Sequence, residues 1–531
     1  MLGVRLLIAG LIVLSTPLAA RAQQAPERVG RVSWAAGAVA VRSPDGDWRP
    51  AVENYPVGPG MSVRTAAQGG AELRLGPMTL ALSNATRLEV TSLDAAAAQF
   101  TLPEGRVGID LRRLDDAAGV AIALPHGRVS LLQPGQYDIS AGTAQEPARV
   151  AVFTGSARFA GSALDITIDQ GKTAMLSGAD PVTAVVEPAA ADSFVEWCRS
   201  RDVDETQLAA PFHLSREMTG YEVLDAHGSW DSTTEYGVAW FPNDVPADWT
   251  PYRDGHWTWI APWGWSWIAD QPWGFAPAHF GRWARIGERW GWVPGSFVAH
   301  PAYAPAMVVF LGTPGIGLSV AEGPGPAVAW FALAPGEVYL PGYTHDLDAI
   351  RRLNSGPVAD PQAIEIGADG QIPAAVLNGG FANRRYAIAV PRGVFVAGKP
   401  VAPALLQLPE QRLMEAPLLM GSPQIAAPAP RSALLRRAPA EIPQLPAARP
   451  ALAMRGPHSP KPRFGAGIGH PKFAAVAVAR HRPYGSFSPV RRPRLLALPA
   501  MQRPHRPAAM LQPHIAAGRP HLASGRDGGV R

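Results

Sequence analysis

Cysteine, metal-binding motifs and long apolar runs are almost absent from this 531-residue chain. A single cysteine, Cys198, excludes an intramolecular disulfide. We expect it to pack as a small apolar side chain, with pairing between chains as the alternative. There is no H-E-x-x-H, C-x-x-C or EF-hand pattern, no G-x-S-x-G elbow, and no phosphate loop or dinucleotide fingerprint. These gaps predict a protein without catalytic residues, metal or cofactor.

The most prominent apolar run lies at the N-terminus. Arg5 precedes an apolar stretch at 6–14, and Ala20-Arg21-Ala22 fits the small-x-small pattern of signal peptidase sites. The run is shorter than the roughly 20 residues that span a bilayer, which disfavours the alternative of an uncleaved anchor. We therefore expect a cleaved signal peptide, a mature chain without a transmembrane span that begins at Gln23, and a periplasmic or secreted location.

Acidic side chains are scarce at the C-terminus. From Arg431 onward there are 18 basic and two acidic residues, which leaves 30 basic and 41 acidic residues before them. Residues 406–531 are rich in Pro, Ala, Arg and His, which predicts a disordered basic tail. An anionic membrane surface is its expected partner, and a solvated linker is the alternative. Export excludes nucleic acid as a physiological partner.

Glycine and proline are abundant, at 54 and 55 residues, which favours short strands and turns. Residues 71–75 and 78–82 alternate around Gly76-Pro77, which predicts a hairpin. Without a long helical pattern, residues 28–187 are expected to form a β-sandwich or rolled sheet. Further strands are predicted at 37–41, 87–93, 100–102, 107–111, 128–132, 137–140, 148–153, 157–160 and 173–176.

Part of this region resembles a known family. Residues 37–76, with Gly37, Trp48, Gly60 and the Arg64-Thr65 pair, and the segment LPHGRVSLLQPGQYDIS are similar to a FecR-type periplasmic domain over about 30–178. The resemblance implies a β domain outside the cytoplasm. The iron-uptake regulator of that family has a cytoplasmic anti-sigma segment before a transmembrane helix. Here almost nothing precedes the apolar run, so sigma-factor signalling is not expected.

A short helix is predicted in the connector at 190–219. Asp192 is a suitable N-cap, and Phe194, Trp197, Cys198 and Arg201 follow at helical spacing. Their apolar face should therefore pack on a neighbouring element.

Tryptophan is concentrated in one region, with 12 of the 16 tryptophans between Trp230 and Trp292. Gly228, Gly255 and Gly281 each begin a Gly-x-Trp motif, and the motifs are 27 and 26 residues apart. Three copies at a nearly fixed period indicate a repeated supersecondary unit.

The second copy shows what the unit is. Trp257 and Trp259, and then Trp263, Trp265 and Trp267, recur at every second residue, so each set shares one face of a strand. Ala-Pro at 261–262 supplies a turn between them. Each repeat is therefore predicted to be a β-hairpin with an aromatic stripe.

The repeat region also resembles a family. Segments such as GYEVLDAHGSW and WTPYRDGHWTWIAPWGWSWIADQPWGFAPAHFGRW are similar to an uncharacterised Trp-rich domain that follows FecR-type domains in exported proteins of Gram-negative bacteria. Residues 327–343 and 387–401 look like its downstream continuation. The resemblance implies no activity.

The aromatic stripe has two interpretations. It is either a stacking platform for peptidoglycan or another envelope glycan, or the core of small hairpins, and we expect only a minority of the rings to be exposed. A platform would place polar side chains against sugar hydroxyls, for which Asp231, Arg253, Asp254 and Arg282 are candidates. The candidate stacking residues are Trp257, Trp259, Trp263, Trp265, Trp267, Trp283, Trp290 and Trp292. Four histidines near the repeats (227, 256, 279 and 300) are expected to cap aromatic clusters or bond carbonyls and not to bind metal.

The sequence thus predicts a non-enzymatic envelope scaffold or binding module for a cell-wall or surface component. A sensory module of FecR type that works with a membrane partner, and an accessory of a cell-wall hydrolase, are the alternatives. The predicted organisation is a signal peptide (1–22), a FecR-like β domain (28–187), a helical connector (190–219), a Trp-rich hairpin domain (220–345), its downstream continuation (346–405) and a disordered basic tail (406–531).

Overall fold

The computed structural model describes residues 25–44, 46–94, 97–114, 119–318, 325–365 and 380–426. Within these ranges the chain is mainly β, as the sequence predicts. The predicted signal peptide and residues 427–531 of the predicted tail lie outside them.

The N-terminal domain is built from short strands, which the abundance of turn residues favours. Its strands are β1 (Gly30–Ala36), β2 (Val39–Arg42), β3 (Arg49–Pro50), β4 (Pro56–Val57), β5 (Ser62–Thr65), β6 (Gly70–Leu75), β7 (Met78–Leu82), β8 (Arg87–Leu93), β9 (Ala97–Glu104), β10 (Arg106–Leu111), β11 (Gly119–Leu124), β12 (Gly127–Leu131), β13 (Gly135–Ser140), β14 (Ala148–Val152), β15 (Ser156–Gly161), β16 (Leu164–Asp169), β17 (Lys172–Ser177) and β18 (Thr183–Pro188).

These strands form two sheets. Sheet I has the order β18-β17-β14-β13-β10-β7-β6-β1-β4, and sheet II has the order β16-β15-β12-β11-β9-β8-β5-β2-β3. Neighbouring strands pair antiparallel, with β9 and β11 as a parallel pair. Alternate side chains from both sheets, such as Leu73, Val63 and Phe100, meet in one buried core.

All the predicted strands of this domain are present. The hairpin predicted around Gly76-Pro77 is β6–β7, with Leu75 opposite Met78, and each of the other nine predicted strands overlaps an observed strand. The strands that were not predicted are β1, β3, β4, β5, β11, β16 and β18. Of these, β11 and β18 lack the alternation of apolar and polar residues, whereas β16 was missed although it alternates. In β18, the adjacent Val185 and Val186 are both exposed, at 68% and 53%.

The connector contains the predicted helix, α1 (Ser193–Ser200). The side chain of Asp192 caps it by accepting hydrogen bonds from the backbone N–H groups of Phe194 and Val195. Helix α1 packs its apolar face on the outer face of sheet I. A Cβ at Gly108 of β10 would lie 2.7 Å from the Sγ atom of Cys198, so glycine allows this close packing.

The Trp-rich region contains the three predicted hairpins. They are β19 (Gly228–Thr233) with β20 (Gly237–Pro242), β21 (Gly255–Ile260) with β22 (Gly264–Ala269), and β23 (Arg282–Ile286) with β24 (Arg289–Val293). The first and third hairpins join through β20 and β24 into a four-stranded sheet, whereas the second remains a two-stranded ribbon. The repeated sequence therefore forms a repeated hairpin without forming one continuous sheet.

The leading glycine of each repeat contacts an indole of its own hairpin. A Cβ at Gly228 would overlap the ring of Trp240. A Cβ at Gly255 would lie 2.5 Å from Trp267 Cζ2, and one at Gly281 would lie 2.5 Å from the Nε1 atom of the third indole, that of residue 292. Each of the three glycines that define the repeat period therefore makes a glycine–indole contact. A side chain at the glycine would prevent this contact.

The buried indoles link the hairpins to one another. The rings of Trp240, Trp273, Trp249 and Trp283 follow one another at centroid distances of 5.1, 5.8 and 5.5 Å, with edge-to-face geometry. Such pairs stabilise a fold by about 0.5–1.5 kcal/mol each beyond the area they bury. The chain of rings thus joins the first hairpin to the third.

One further sheet, together with helices and 3-10 turns, completes the described body. The remaining strands, β25 (Val308–Leu311), β26 (Ala327–Ala332), β27 (Ile388–Pro391) and β28 (Leu418–Leu419), form a sheet of order β27-β26-β25-β28. The remaining helices are α2 (Leu224–His227), α3 (Phe275–His279), α4 (Leu347–Asn354), α5 (Arg392–Val396) and α6 (Glu410–Glu415). Single 3-10 turns lie at Glu205–Gln207, Ala210–Phe212, Tyr221–Val223, Pro361–Ala363, Arg384–Tyr386 and Ala402–Ala404.

The folded body extends beyond the boundary predicted at 406. Helix α6 and strand β28 lie after that position, and Leu413 and Ile425 are buried. The backbone carbonyl of Ile425 accepts a hydrogen bond from Trp265 Nε1 at 3.0 Å. Because of the frequent prolines, the sequence analysis began the tail about 20 residues too early. Prolines are compatible with short helices and strands that tertiary contacts hold in place.

A single hydrophobic core runs from the sandwich into the Trp-rich hairpins. Trp263 of the second hairpin contacts the sandwich directly: a Cβ at Gly58 would lie 2.8 Å from its Cη2 atom. Its Nε1 atom donates to the carbonyl of Pro26 at 3.0 Å. The two predicted domains are therefore packed as one body.

Buried ion pairs cross the same interface. The outer face of sheet I carries Arg31, Glu72 and Arg74, which become buried beneath the connector. Arg31 Nη2 lies 2.8 Å from Glu222 Oε1, and Glu72 Oε2 lies 2.5 Å from Arg201 Nε. Burial disfavours the charge on Glu222, but the neighbouring guanidiniums outweigh it and lower the pKa of this carboxyl group.

The glycine–indole contact yields a stability prediction. Replacing Gly228 by alanine should lower the free energy of unfolding by about 1–3 kcal/mol, because the new methyl group overlaps Trp240. Because Gly228 has extended backbone geometry, which alanine also adopts, the substitution tests steric overlap without backbone strain. The measurement is the guanidinium unfolding midpoint followed by tryptophan fluorescence.

As a control, Gly393→Ala in α5 introduces a Cβ into open space and should leave the midpoint unchanged or slightly higher. Equal midpoints for both variants would contradict the prediction.

The buried ion pairs yield a second prediction. Glu222→Gln should lower the free energy of unfolding by about 3–5 kcal/mol at neutral pH, because it removes the closest carboxylate of the buried Arg31 and leaves only that of Glu53 at 4.0 Å. The pKa of Glu222 is lower in the folded than in the unfolded chain. Its contribution is therefore complete above about pH 4.3 and is lost as the pH falls further.

The measurement is the unfolding midpoint as a function of pH. The wild-type midpoint should fall more steeply below about pH 4.3 than that of Glu222→Gln. Asp165→Asn serves as the control, since this carboxylate pairs with Arg158 at an exposed position of sheet II and its loss should hardly change the midpoint. Parallel pH profiles for wild type and Glu222→Gln would refute the assignment.

Candidate functional site

The tryptophans predicted to stack on a glycan are mostly inaccessible. Seven of the eight candidates are buried, with 6% exposure or less, and Trp259 alone among the eight is half-buried. The platform prediction is therefore wrong for the buried residues, which are Trp257, Trp263, Trp265, Trp267, Trp283, Trp290 and Trp292. Their physical role is to fill a core that small hairpins could not fill with aliphatic side chains, as the alternative interpretation expected.

The four candidate polar contacts are engaged within the protein. Arg282 is fully buried and donates to the Oδ1 atom of Asn354 at 2.8 Å, so it cannot meet a ligand. Asp254 accepts hydrogen bonds from an indole N–H and from the amide of residue 271. Arg253 pairs with Asp248 at 3.0 Å. Asp231, which pairs with an arginine across the sheet, keeps an exposed side chain.

Cys198 and His279 have structural environments. Burial raises the pKa of the Cys198 thiol to about 12, so the thiol is neutral and weakly nucleophilic at physiological pH. Burial lowers the pKa of His279 to about 3, and its Nδ1 atom lies 2.7 Å from the carbonyl oxygen of Ala304. Among the residues that the structure describes, no group of three or more His, Cys, Asp and Glu side chains is arranged to hold a metal ion.

Exposed aromatic side chains occur outside the predicted stripe. The ring of Phe212 is 84% exposed and that of Phe297 is 68% exposed. His213 stacks on the half-buried ring of Trp230 at a centroid distance of 4.9 Å and lines a surface cavity together with Phe297. Phe212 precedes His213 in the sequence and does not line this cavity. We refer to Phe212, His213, Trp230 and Phe297 as the aromatic patch.

The cavity beside the aromatic patch is small. It has a volume of about 30 Å³, enough for roughly one water molecule, and it also contains Ser296, Arg352 and Ser355. Two other cavities in the described part of the chain measure about 20 and 30 Å³. A ligand larger than water would therefore lie across the mouth of the cavity. Within this lining, Arg352 is paired with Glu27 and the two serine hydroxyls donate to backbone carbonyls, which leaves the serine oxygens as acceptors for such a ligand.

The aromatic patch has only a weak signal in the sequence. Phe212 and Phe297 lie in the short segments Ala-Pro-Phe-His and Ser-Phe-Val, without the period that drew attention to the tryptophans. Each phenylalanine is a bulky apolar residue in a loop segment. Because loops usually lie at the surface, this position indicates that the ring is exposed. The periodic residues were buried because periodicity marks a packed face.

One segment of the chain matches the model of a known family. The model of the family of unknown function DUF6600 matches residues 221–337, which include the three hairpins and strand β26. No curated protein matches the chain.

Among solved structures, two crystal structures of a proposed anti-sigma factor from Parabacteroides distasonis ATCC 8503 are similar to part of the chain. They are 12% and 13% identical, each with a TM-score of 0.23. The aligned parts cover 26% of this chain and 64% and 63% of those chains, so this chain spans less than two thirds of their length. This likeness establishes neither fold nor activity.

Proposed function

We propose that this chain is a non-enzymatic, exported binding module of the cell envelope that holds a wall or surface glycan against the aromatic patch. The observation that carries the proposal is the exposure of Phe212 and Phe297 on a body that buries most of its other large rings. Exposed aromatic groups beside polar side chains are typical of binding surfaces.

The chemistry of the aromatic patch suits a sugar chain. Aromatic rings pack against the apolar C–H faces of sugars. Arg352 is paired with Glu27, and the hydroxyls of Ser296 and Ser355 donate to backbone carbonyls, so these two hydroxyl oxygens offer acceptors to a sugar hydroxyl. A polymer that crosses a shallow surface also fits a cavity of about 30 Å³ better than a small enclosed substrate does.

The rest of the body supports a scaffold role. The shared core and the buried ion pair between Arg31 and Glu222 hold the sandwich and the Trp-rich hairpins in a fixed relation. A rigid support reduces the entropy lost when a ligand binds. In the described residues, no helix is both long and apolar enough to cross a bilayer. We further propose that export, through the predicted signal peptide, places the module outside the cytoplasm, and that the basic tail adds attraction to an anionic surface.

The proposal predicts that the full mature chain is retained on purified peptidoglycan at physiological salt. Phe212→Ser combined with Phe297→Ser should reduce the retained fraction about tenfold or more, because truncating a central aromatic anchor costs about 2 kcal/mol. Raising the salt concentration should weaken attraction through the basic tail and leave ring stacking largely intact, so the difference between variants should persist.

Val185→Ser combined with Val186→Ser is the matched control. It also removes two exposed apolar side chains, at 68% and 53% exposure, but from strand β18. This variant should bind like wild type, and all three proteins should unfold at similar denaturant concentrations. Failure of wild type to be retained, or equal retention of both double variants, would refute the proposal.

A further inference from the structure

A row of arginines crosses the outer face of sheet II. Arg64 of β5 lies directly opposite Arg87 of β8. Arg42 of β2 occupies the diagonal position next to Arg64, since residue 40 is paired with Arg64 and residue 42 is two positions further. The alternate residues of these strands, such as Val63 and Leu88, point into the core. The three guanidiniums therefore lie on the same solvent-facing side.

Trp48 orders two of these arginines. It lies immediately before strand β3, the edge strand beside β2, and its ring is half-buried. The Cζ atom of Arg42 lies 5.0 Å from the ring centroid, and that of Arg64 lies 4.4 Å from it. Both distances are within the range of cation–π attraction, which restricts two otherwise flexible side chains. We refer to Arg42, Trp48 and Arg64 as the arginine platform.

Arg42 and Arg64 form no ion pair among the described residues, although Glu89 occupies the position diagonal to Arg64. Arg87 forms an ion pair with Glu89 and lies opposite Glu104. Within the described residues, by contrast, neither Arg42 nor Arg64 donates a hydrogen bond or pairs with a carboxylate. Their N–H groups are therefore available to an acceptor from outside. Placing Arg64 opposite Arg87 is also unfavourable in itself, since like charges across a strand pair repel.

We propose that the arginine platform binds the phosphate group of an anionic lipid headgroup. Two guanidiniums present flat forks of N–H donors that match the oxygen atoms of a phosphate, and Arg forms such pairs bidentately. A bound phosphate would also offset the repulsion along the arginine row. The outer face of sheet II is open and broad, which suits contact with a lipid surface. This site lies on the sandwich and does not depend on the glycan proposal for the aromatic patch.

Hydrogen exchange of the full mature chain, read peptide by peptide, tests the site separately from the basic tail. Vesicles of phosphatidylglycerol and phosphatidylcholine should slow exchange in peptides that cover 39–50 and 62–65, and vesicles of phosphatidylcholine alone should not. In Arg42→Gln/Arg64→Gln this protection should fall at least about tenfold, because the charge-assisted contacts to the phosphate are lost.

Arg128→Gln/Arg158→Gln is the matched control, because it removes the same charge from exposed positions elsewhere on sheet II. This variant should keep the wild-type protection at 39–50 and 62–65, and the unfolding midpoints should confirm that both variants fold. The proposal is overturned if these peptides exchange freely in wild type while the vesicles bind elsewhere, or if both double variants show equal protection. Protection by inorganic phosphate without protection by vesicles would overturn the lipid assignment.

Discussion

The contact between a glycine Cα and an indole ring determines how the Trp-rich region folds. In each hairpin the second strand returns an indole onto the glycine that begins the first strand, as Trp267 does onto Gly255. Because no Cβ stands in the way, the ring lies flush against the backbone and its far edge reaches the next ring. Trp267 thereby contacts Trp257 at 5.4 Å, and Trp257 contacts Trp330 of the neighbouring sheet at 5.4 Å. A local sequence motif thus builds a long-range core.

That core constrains the arrangement of the whole body. Once the hairpins are packed, Trp263 reaches Gly58 of the sandwich, and the connector is drawn over sheet I. Covering that face buries Arg31 and Glu72, which can stay charged only with partners of opposite sign. Glu222 and Arg201 of the connector supply those partners. The aromatic contacts thus provide the apolar area, while the ion pairs select one relative orientation, because any shift would leave a buried charge alone.

The sequence predicted what local periodicity determines. Asp192 capped its helix, the turn at 261–262 separated two strands of tryptophans, and Gly76-Pro77 connected a hairpin, because each feature depends on neighbouring residues. The same periodicity misled the site prediction, since rings at every second residue mark a face without revealing whether water or protein covers it. Arg282 illustrates the difficulty: its charge suggested a surface, but Asn354, 72 residues away, receives its hydrogen bond in the interior. Long-range contacts of this kind are absent from local patterns.

The burial of the tryptophans also limits where a ligand can bind. An aromatic ring in the core cannot stack on a sugar, so binding must use residues that the core did not need, such as Phe212 and Phe297. Arg42 and Arg64 are likewise unneeded by the core or the interface, and they stay partly exposed. They offer charge, whereas the two phenylalanines offer ring area. A rigid body with separate surfaces for the proposed glycan and for the proposed phosphate would hold these two components at a fixed distance. That arrangement requires stiffness between the surfaces, which the shared indole core provides.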